Sequence, residues 1–410
     1  MTDEATVPAT GPATGPAAVA PDDFDPHVEE TFDSPHVEYE RMRAQCPVAH
    51  SSAHGGFWAL TRHADIVAAV TDNETFITSK INVIPNMSLG KRRPPLGKDP
   101  PEHTPFRRAL DRTLRNSRIA ALEPRLRAHA SRELERMIGA GRGDVSSDFA
   151  TIYPAWIEVE WLNLEPSNAV LLADVARLYN VAWRNENMDD VARTSGQLYA
   201  VAREVVEDRQ RHPRPVESDP ASALLAEETP SGPIPPDYVI ETIRQVLVVG
   251  LMAPPPLFGA IVIHLIRHPD LQQYLRENPA RIPAAVEEFI RLYSPYRGFA
   301  RTTTRDVELH GRTIPKDDPV TMVYASANRD DEVFDDPHSF RFDRENIRQH
   351  LGFGRGAHQC AGAGLVRLEM RIFLEELLKR TTGMALDGPL EMTRLPELGP
   401  TSTPVTFRTD

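Results

Sequence analysis

The chain is poor in cysteine and has no excess of basic residues. Its 410 residues include only two cysteines, Cys46 and Cys360, which lie far apart and provide no disulfide framework. This usage favours a reducing, cytoplasmic compartment, and Cys46 is predicted to be a small, partly buried residue without chemistry. The 46 basic residues are outnumbered by 59 acidic ones, for a net charge of −13. That balance argues against nucleic-acid binding, which calls for a basic face.

The sequence also lacks the marks of a secreted or membrane-anchored chain. Its first 20 residues show neither the basic n-region nor the apolar h-region of a signal peptide. We see no apolar run near the roughly 20 residues that span a bilayer, and therefore expect no membrane anchor. Residues 1–22 are rich in Ala, Pro and Thr and cannot bury enough surface to fold, so we predict a disordered tail.

The remainder, residues 23–410, is predicted to be a single domain that is mainly α with a small β portion. Hydrophobic periodicity and start and stop signals predict helices over 35–45, 64–70, 103–115, 119–139, 154–163, 168–183, 189–210, 237–268, 270–276, 281–292 and 362–381. Strand-like patterns cover 56–60, 299–304, 306–310, 319–323 and 404–408. Residues 78–101 form a proline-rich irregular loop of a length that is usually functional or mobile, and residues 211–236 are predicted to be an exposed connector.

The most informative segment is 350–362, which reads His-Leu-Gly-Phe-Gly-Arg-Gly-Ala-His-Gln-Cys-Ala-Gly. Its glycines, Gly354 and Gly356, allow tight turns and a close approach of the backbone to a flat ligand. Cys360 then precedes a predicted helix, whose N-terminal N–H groups and positive dipole end favour a thiolate, the form that ligates metal. The segment therefore predicts a buried sulfur ligand. The alternative is a glycine-rich turn that holds a structural cysteine.

This loop resembles the cysteine loop of the cytochrome P450 superfamily, Phe-Gly-x-Gly-x-His-x-Cys-x-Gly, at every specified position. The matching residues are Phe353, Gly354, Gly356, His358, Cys360 and Gly362. The resemblance implies the cytochrome P450 fold and a haem b cofactor (iron protoporphyrin IX). It also implies that Cys360 is the iron ligand and the catalytic residue, since haem held by a cysteine thiolate is characteristic of this family.

Further cationic residues match family positions that contact the haem propionates. His103 and Arg107 are four residues apart and share one helix face, where two donors suit an anionic group. Arg301 aligns with a family arginine on a strand that reaches a propionate, and His358 resembles another such donor. Without the resemblance, a solvated helix start and surface cations would explain these residues.

Glu288 and Arg291 match the family's Glu-x-x-Arg pair. At this spacing they are neighbours on a helix, and a surface pair of this kind would contribute little. The resemblance implies instead a buried structural pair that braces the core beside the cysteine loop, with a third partner from residues 334–344.

The long helix predicted over 237–268 departs from the family pattern. Relatives usually carry Ala/Gly-Gly-x-Asp/Glu-Thr at its centre, where the acid and the alcohol deliver protons during the activation of dioxygen. Here Met252 stands in place of the acid and Ala253, expected against the haem, in place of the alcohol. Neither side chain can carry a proton.

Three consecutive prolines, residues 254–256, follow this position. Each removes an N–H donor and clashes with the preceding turn, so the regular helix must break near residues 250–253. The alternative is that the prolines lie in a loop beyond the end of the helix.

The resemblance implies a haem-thiolate monooxygenase that inserts one oxygen atom from O2 into a small apolar substrate, by hydroxylation or oxidative demethylation. Electrons would come from NAD(P)H through a separate reductase and an iron–sulfur ferredoxin. The missing acid–alcohol pair leaves a hydrogen-peroxide-dependent peroxygenase as an alternative, and a non-catalytic haem-binding sensor as another. A mostly apolar substrate pocket is expected from residues 81–96 and 178–183 together with Val249, Gly250, Met252, Ala253, Gly298 and Phe299.

Overall fold

The computed structural model describes residues 23–28, 34–86 and 90–409. Within them the α-helices are α1 His36–Gln45, α2 His63–Thr71, α3 Thr104–Thr113, α4 Asn116–Gly139, α5 Ala150–Trp161, α6 Asn168–Arg184, α7 Met188–Arg211, α8 Pro220–Leu225, α9 Pro236–Met252, α10 Pro254–Arg267, α11 Pro269–Glu277, α12 Ile282–Leu292, α13 Tyr324–Ala327 and α14 Ala363–Arg380. The predicted tail, residues 1–22, lies outside the described residues, as do residues 87–89 of the predicted irregular loop.

The strands are short. They are β1 Val48–Ser51, β2 Phe57–Leu60, β3 Phe76–Ile77, β4 Arg142–Asp144, β5 Glu228–Thr229, β6 Gly232–Pro233, β7 Phe299–Thr303, β8 Val307–Leu309, β9 Arg312–Ile314, β10 Pro319–Met322, β11 Gly383–Leu386, β12 Glu391–Met392, β13 Pro400–Ser402 and β14 Pro404–Arg408. The largest sheet has the order β1-β2-β10-β7-β3, in which only β2 and β10 are parallel. The predicted fold class, mainly α with a small β portion, is confirmed.

The helices pack around one large apolar core to which α4, α5, α9, α10 and α14 contribute. At its centre the ring of Phe373 from α14 lies 4.5 Å from that of Phe258 on α10 and 5.1 Å from that of Phe149, which immediately precedes α5. This packing fixes α14, the helix that follows the cysteine loop, against the central helices.

The central helix is divided in two. α9 ends at Met252 and α10 begins at Pro254, so the break predicted near residues 250–253 is confirmed. Ala253 at the junction keeps helical dihedral angles (φ −74°, ψ −36°), so the interruption comes from the missing proline N–H donors rather than from a turn of the chain.

The expectation that no apolar run approaches the length of a membrane span was wrong. Pro236–Arg267, which joins α9 and α10, contains a window of mean hydropathy 2.2, long and apolar enough to cross a membrane. In this structure 78% of that window is buried inside the protein, as in a core helix. The three prolines had obscured the continuity of the apolar run.

The prediction of an exposed connector over residues 211–236 was also wrong for the middle of that segment, which forms the mostly buried helix α8. The buried Asp219 caps this helix by accepting the N–H of Ser222 at 2.8 Å, and it pairs with Arg209 at 3.0 Å. The cap and the small apolar residues of α8 bury a segment whose composition suggested exposure.

Candidate functional site

The cysteine loop is closed by its own backbone. The N–H of Cys360 donates to the carbonyl of Phe353 at 2.8 Å. Gly354 and Gly356 have φ of +64° and +75°, a region that favours glycine. A Cβ on Gly356 would lie 2.3 Å from the carbonyl oxygen of Val70 in α2. At this position the loop therefore packs on α2 more closely than a residue with a Cβ would allow.

The Cys360 side chain lies within the fold yet keeps open surface. Burial raises the pKa of its thiol, whereas the backbone N–H of Gly362 and the charges of Arg107 and Arg367 act in the opposite direction. The donors expected at the start of α14 are thus present, but in the protein alone burial outweighs them. A coordinated metal ion is what deprotonates a thiol in such a setting.

Basic side chains crowd one side of this loop. The rings of His103, which immediately precedes α3, and His358 are 4.5 Å apart. Burial, together with the charges of Arg301, His103 and Arg107, lowers the pKa of His358 to about 3. The structure therefore brings together all four residues that were predicted to contact propionates.

Two of these residues keep buried polar atoms without a partner among the described residues, namely Nδ1 of His103 and Nε of Arg301. Arg107 instead donates to the carbonyls of Ala357 (3.3 Å) and Gln359. A buried guanidinium N–H and a buried imidazole nitrogen without partners are costly unless another group completes their hydrogen bonds, and the carboxylate of a ligand can do so for the guanidinium. With a sulfur that retains open surface beside them, these residues fit a haem and its two carboxylates.

A buried ionic network lies behind the loop. Arg291 donates to both carboxylate oxygens of Glu288 at 2.7 Å, and both side chains have no exposed surface. Arg344, from the segment expected to supply a third partner, donates to Glu288 at 2.8 Å. Asn328 connects this network to the loop, since its carbonyl accepts from Arg291 and its side chain accepts from the N–H of Leu351 at 2.6 Å.

The broken central helix contains no acid or alcohol at Met252 and Ala253. A carboxyl group does approach this helix from elsewhere, because a Cβ on Gly250 would lie 1.8 Å from Oε1 of Glu158 in α5. Burial raises the pKa of Glu158 well above its usual value, and Glu369 of α14 adds to the shift. Burial therefore favours the neutral form of both carboxyl groups.

A cavity of about 740 Å³, its opening to solvent included, lies along α9. Val249, Met252 and Phe299 of the predicted pocket line it, and so do parts of the predicted segments 81–96 and 178–183. Gly250, Ala253 and Gly298 are not among the lining residues, and a Cβ on Gly298 would face the carbonyl oxygen of Met322 at 2.0 Å.

Sequence reasoning missed several residues at this site. Arg244 and Glu397 line the cavity, and Tyr324 lies close to Gly354 and Arg301. The sequence could have indicated Arg244, because it is the only charged side chain between Glu241 and His264 in a strongly apolar helix. No sequence pattern indicates Glu397, since it reaches the cavity from a loop far along the chain.

Comparisons with known proteins agree with this geometry. A family model described as Cytochrome P450 matches residues 201–382. Erythromycin C-12 hydroxylase of Saccharopolyspora erythraea is 32% identical over 83% of this chain and 85% of its own length. Linalool 8-monooxygenase of Pseudomonas putida is 29% identical over 84% and 88% of the two chains. The crystal structure of CYP108D1 from Novosphingobium aromaticivorans superposes with a TM-score of 0.82 and 25% identity over 93% of this chain and 96% of that one.

A mainly helical fold with a glycine-bounded cysteine beside four basic side chains, two of them buried, defines a haem-thiolate protein. The chain belongs to the cytochrome P450 superfamily, and with it to the oxidoreductases that use haem b for monooxygenation.

Proposed function

We propose that this protein inserts one oxygen atom from O2 into a small organic molecule with an apolar body, by hydroxylation or oxidative demethylation, with Cys360 as the iron ligand. The observation that carries the proposal is the exposed Cys360 within the fold, beside buried basic side chains that retain polar atoms without partners among the described residues. The relatives named for hydroxylation and monooxygenation support the same reaction class.

Each part of the site has a task in this proposal. Phe353, Gly354 and Gly356 shape the loop so that the sulfur of Cys360 faces the haem, and His103, Arg107, Arg301 and His358 bind the propionates and fix the haem orientation. Bound haem with a thiolate ligand supplies the activation of dioxygen. The cavity along α9 holds the substrate and excludes water from it.

Electron supply belongs to the proposal as well. We assign it to NAD(P)H through a separate reductase and an iron–sulfur ferredoxin, in the cytoplasm. Reconstitution with a surrogate ferredoxin and reductase should yield oxygenated product from a compound that binds in the cavity. Product formed only with hydrogen peroxide would replace this proposal with a peroxygenase.

The iron ligand is tested by the carbon monoxide difference spectrum of the reduced protein. The wild type should give the band from which the family takes its name, and Cys360→Ser should lose it, because an alcohol oxygen is a poorer donor to iron. Cys46→Ser is the matched control, since this cysteine contacts the Val48 carbonyl at 3.5 Å, away from the loop. Retention of the band in Cys360→Ser would overturn the assignment.

A further inference from the structure

One end of the cavity along α9 is basic. Three cationic side chains surround the ring of Tyr199 on α7: Lys91 Nζ lies 4.4 Å from the ring centroid, and the guanidinium carbons of Arg93 and Arg244 each lie 5.6 Å from it. All three basic residues line the cavity. These side chains bring positive charge to this end of the cavity, where the face of an aromatic ring favours cations.

Arg244 is built into the protein and incompletely satisfied. It is only 4% exposed, and its Nη2 donates to Ser195 at 2.7 Å. Its Nε has no hydrogen-bond partner, and no carboxylate of the described residues pairs with it. A buried guanidinium without a counter-ion is costly and is normally completed by an anion. Since Arg244 lines the cavity, that anion can reach it from there.

The acid elsewhere in the cavity wall does not serve as this counter-ion. Burial raises the pKa of Glu397 to about 8, with no contribution from a nearby arginine. Its carboxyl group therefore favours the neutral form near pH 7. The cavity thus has a cationic end, and its other walls carry no opposing charge at neutral pH.

The basic end and the central helix break lie on one face of α9. Arg244, Val248 and Met252 line the cavity at intervals of four residues. Eight residues of helix separate the α carbons of Arg244 and Met252 by about 12 Å. A molecule held by Arg244 can therefore reach Met252 along this face, and Trp183 and Phe299 also line the cavity.

We propose that the substrate is a small organic carboxylate, bound through its carboxylate by Arg93 and Arg244, with its apolar body directed toward Met252. The oxygenation of this molecule rests on the proposed function, whereas its binding in the cavity does not. A carboxylate matches the fork of a guanidinium and carries one charge to be desolvated. A phosphate ester carries nearly two charges, at a higher cost in a buried, aromatic cavity.

The test compares acids with uncharged compounds of the same shape. The probes are 3-phenylpropanoate, 4-phenylbutanoate and 2-naphthoate, each with its methyl ester, together with 2-phenylethyl phosphate. Affinities for the haem-loaded protein are measured by calorimetry, which needs no turnover. We expect at least one acid to bind tenfold or more tightly than its ester. Esters that bind as tightly as the acids, or a phosphate that binds more tightly than every acid, would overturn the proposal.

Variants locate the site. Arg244→Met should weaken binding of the acid tenfold or more and leave binding of the ester within threefold, and Arg244→Lys should restore part of the loss. Arg281→Met is the matched control, because Arg281 also stacks on an aromatic ring, that of Phe342 at 5.0 Å, but lies outside the cavity lining. Equal weakening of acid and ester by Arg244→Met would show a packing role and overturn the proposal.

Failure of the proposed function is distinguishable from failure of this inference. If acids bind in preference to their esters but no oxygenated product forms, the carboxylate site stands and the monooxygenase assignment falls. If esters are oxygenated and acids neither bind nor react, the monooxygenase assignment stands and the carboxylate site falls.

Discussion

At the scale of single residues, the site gathers basic side chains whose buried polar atoms are not all paired within the described part of the chain. His103, Arg301 and His358 are buried or partly buried around the cysteine loop, and two of them retain donors without partners among the described residues. The sequence motif identified these residues singly. Their mutual proximity, with rings 4.5 Å apart in one pair, depends on α3, β7 and the loop meeting in space.

The unpaired basic groups predict weaker binding of haem whose propionates have been esterified. Haem dimethyl ester should bind the apoprotein at least tenfold more weakly than haem, a difference of about 1.4 kcal/mol. Arg301→Met should weaken binding of haem but not of the ester. Titration of apoprotein followed by absorbance measures both affinities. Arg305→Met, an exposed change two residues beyond β7, should leave them unchanged; equal affinities for haem and ester would contradict the propionate role.

The Glu288–Arg291 pair predicts a large cost of removing one charge. Glu288→Gln would leave Arg291 and Arg344 buried without a carboxylate, which should lower the free energy of unfolding by about 3–5 kcal/mol. Glu38→Gln breaks a pair of the same i,i+3 spacing with Arg41 on the surface, and should cost about 1 kcal/mol or less. Urea unfolding compares the two. Similar losses in the free energy of unfolding would mean that the buried pair contributes no more to stability than the surface pair.

At the scale of elements, the central helix is organised around its break and its contact with α5. Gly250, one turn before the break, lies against the side chain of Glu158 in α5. Its missing side chain leaves room for the buried carboxyl group of Glu158. The helix therefore depends on a glycine that helix propensity alone would disfavour.

Gly250→Ala should consequently destabilise the protein by about 1–3 kcal/mol, because the new methyl group would displace a buried side chain. Gly196→Ala in α7 is the matched control, since no atom lies within 4 Å of its added Cβ. That change should stabilise the protein by about 0.5–1 kcal/mol through better helix propensity. Thermal unfolding measures the stability of both variants. A Gly250→Ala variant more stable than wild type would show that the Glu158 side chain moves aside at no cost.

At the scale of the whole molecule, the sequence predicted what local spacing encodes and missed what distant segments create. The helices and the cysteine loop follow from periodicity and from closely spaced glycines. Strands as short as Phe76–Ile77 exist only because β7 pairs with them, so no local pattern announces them. The basic end of the cavity likewise needs Arg93, Tyr199 and Arg244 from three separate segments.

The buried carboxyl groups give the whole molecule a predicted pH dependence. Burial raises the pKa of Glu369 from 4.5 to about 8, so its carboxyl group stays protonated in the folded state across that range. The unfolded chain releases this proton near pH 4.5. Unfolding therefore becomes more favourable as the pH rises from about 4.5 to 8, by up to about 1.4 kcal/mol per pH unit for one group.

Glu369→Gln should remove this dependence, because an amide has no proton to release. The free energy of unfolding of the variant, relative to wild type, should rise by about 2–4 kcal/mol between pH 5 and pH 8 in urea unfolding curves.

Glu376→Gln on the same helix is the control, because the pKa of Glu376 is shifted in the opposite direction. Although burial raises the pKa of Glu376, hydrogen bonds from Arg127 and Arg380 lower it overall, so its stabilisation is lost only as the pH falls below about 4.5. That variant should be less stable than wild type by a constant amount from pH 5 to pH 8, and a constant difference for Glu369→Gln as well would mean that Glu369 is ionised in the folded protein.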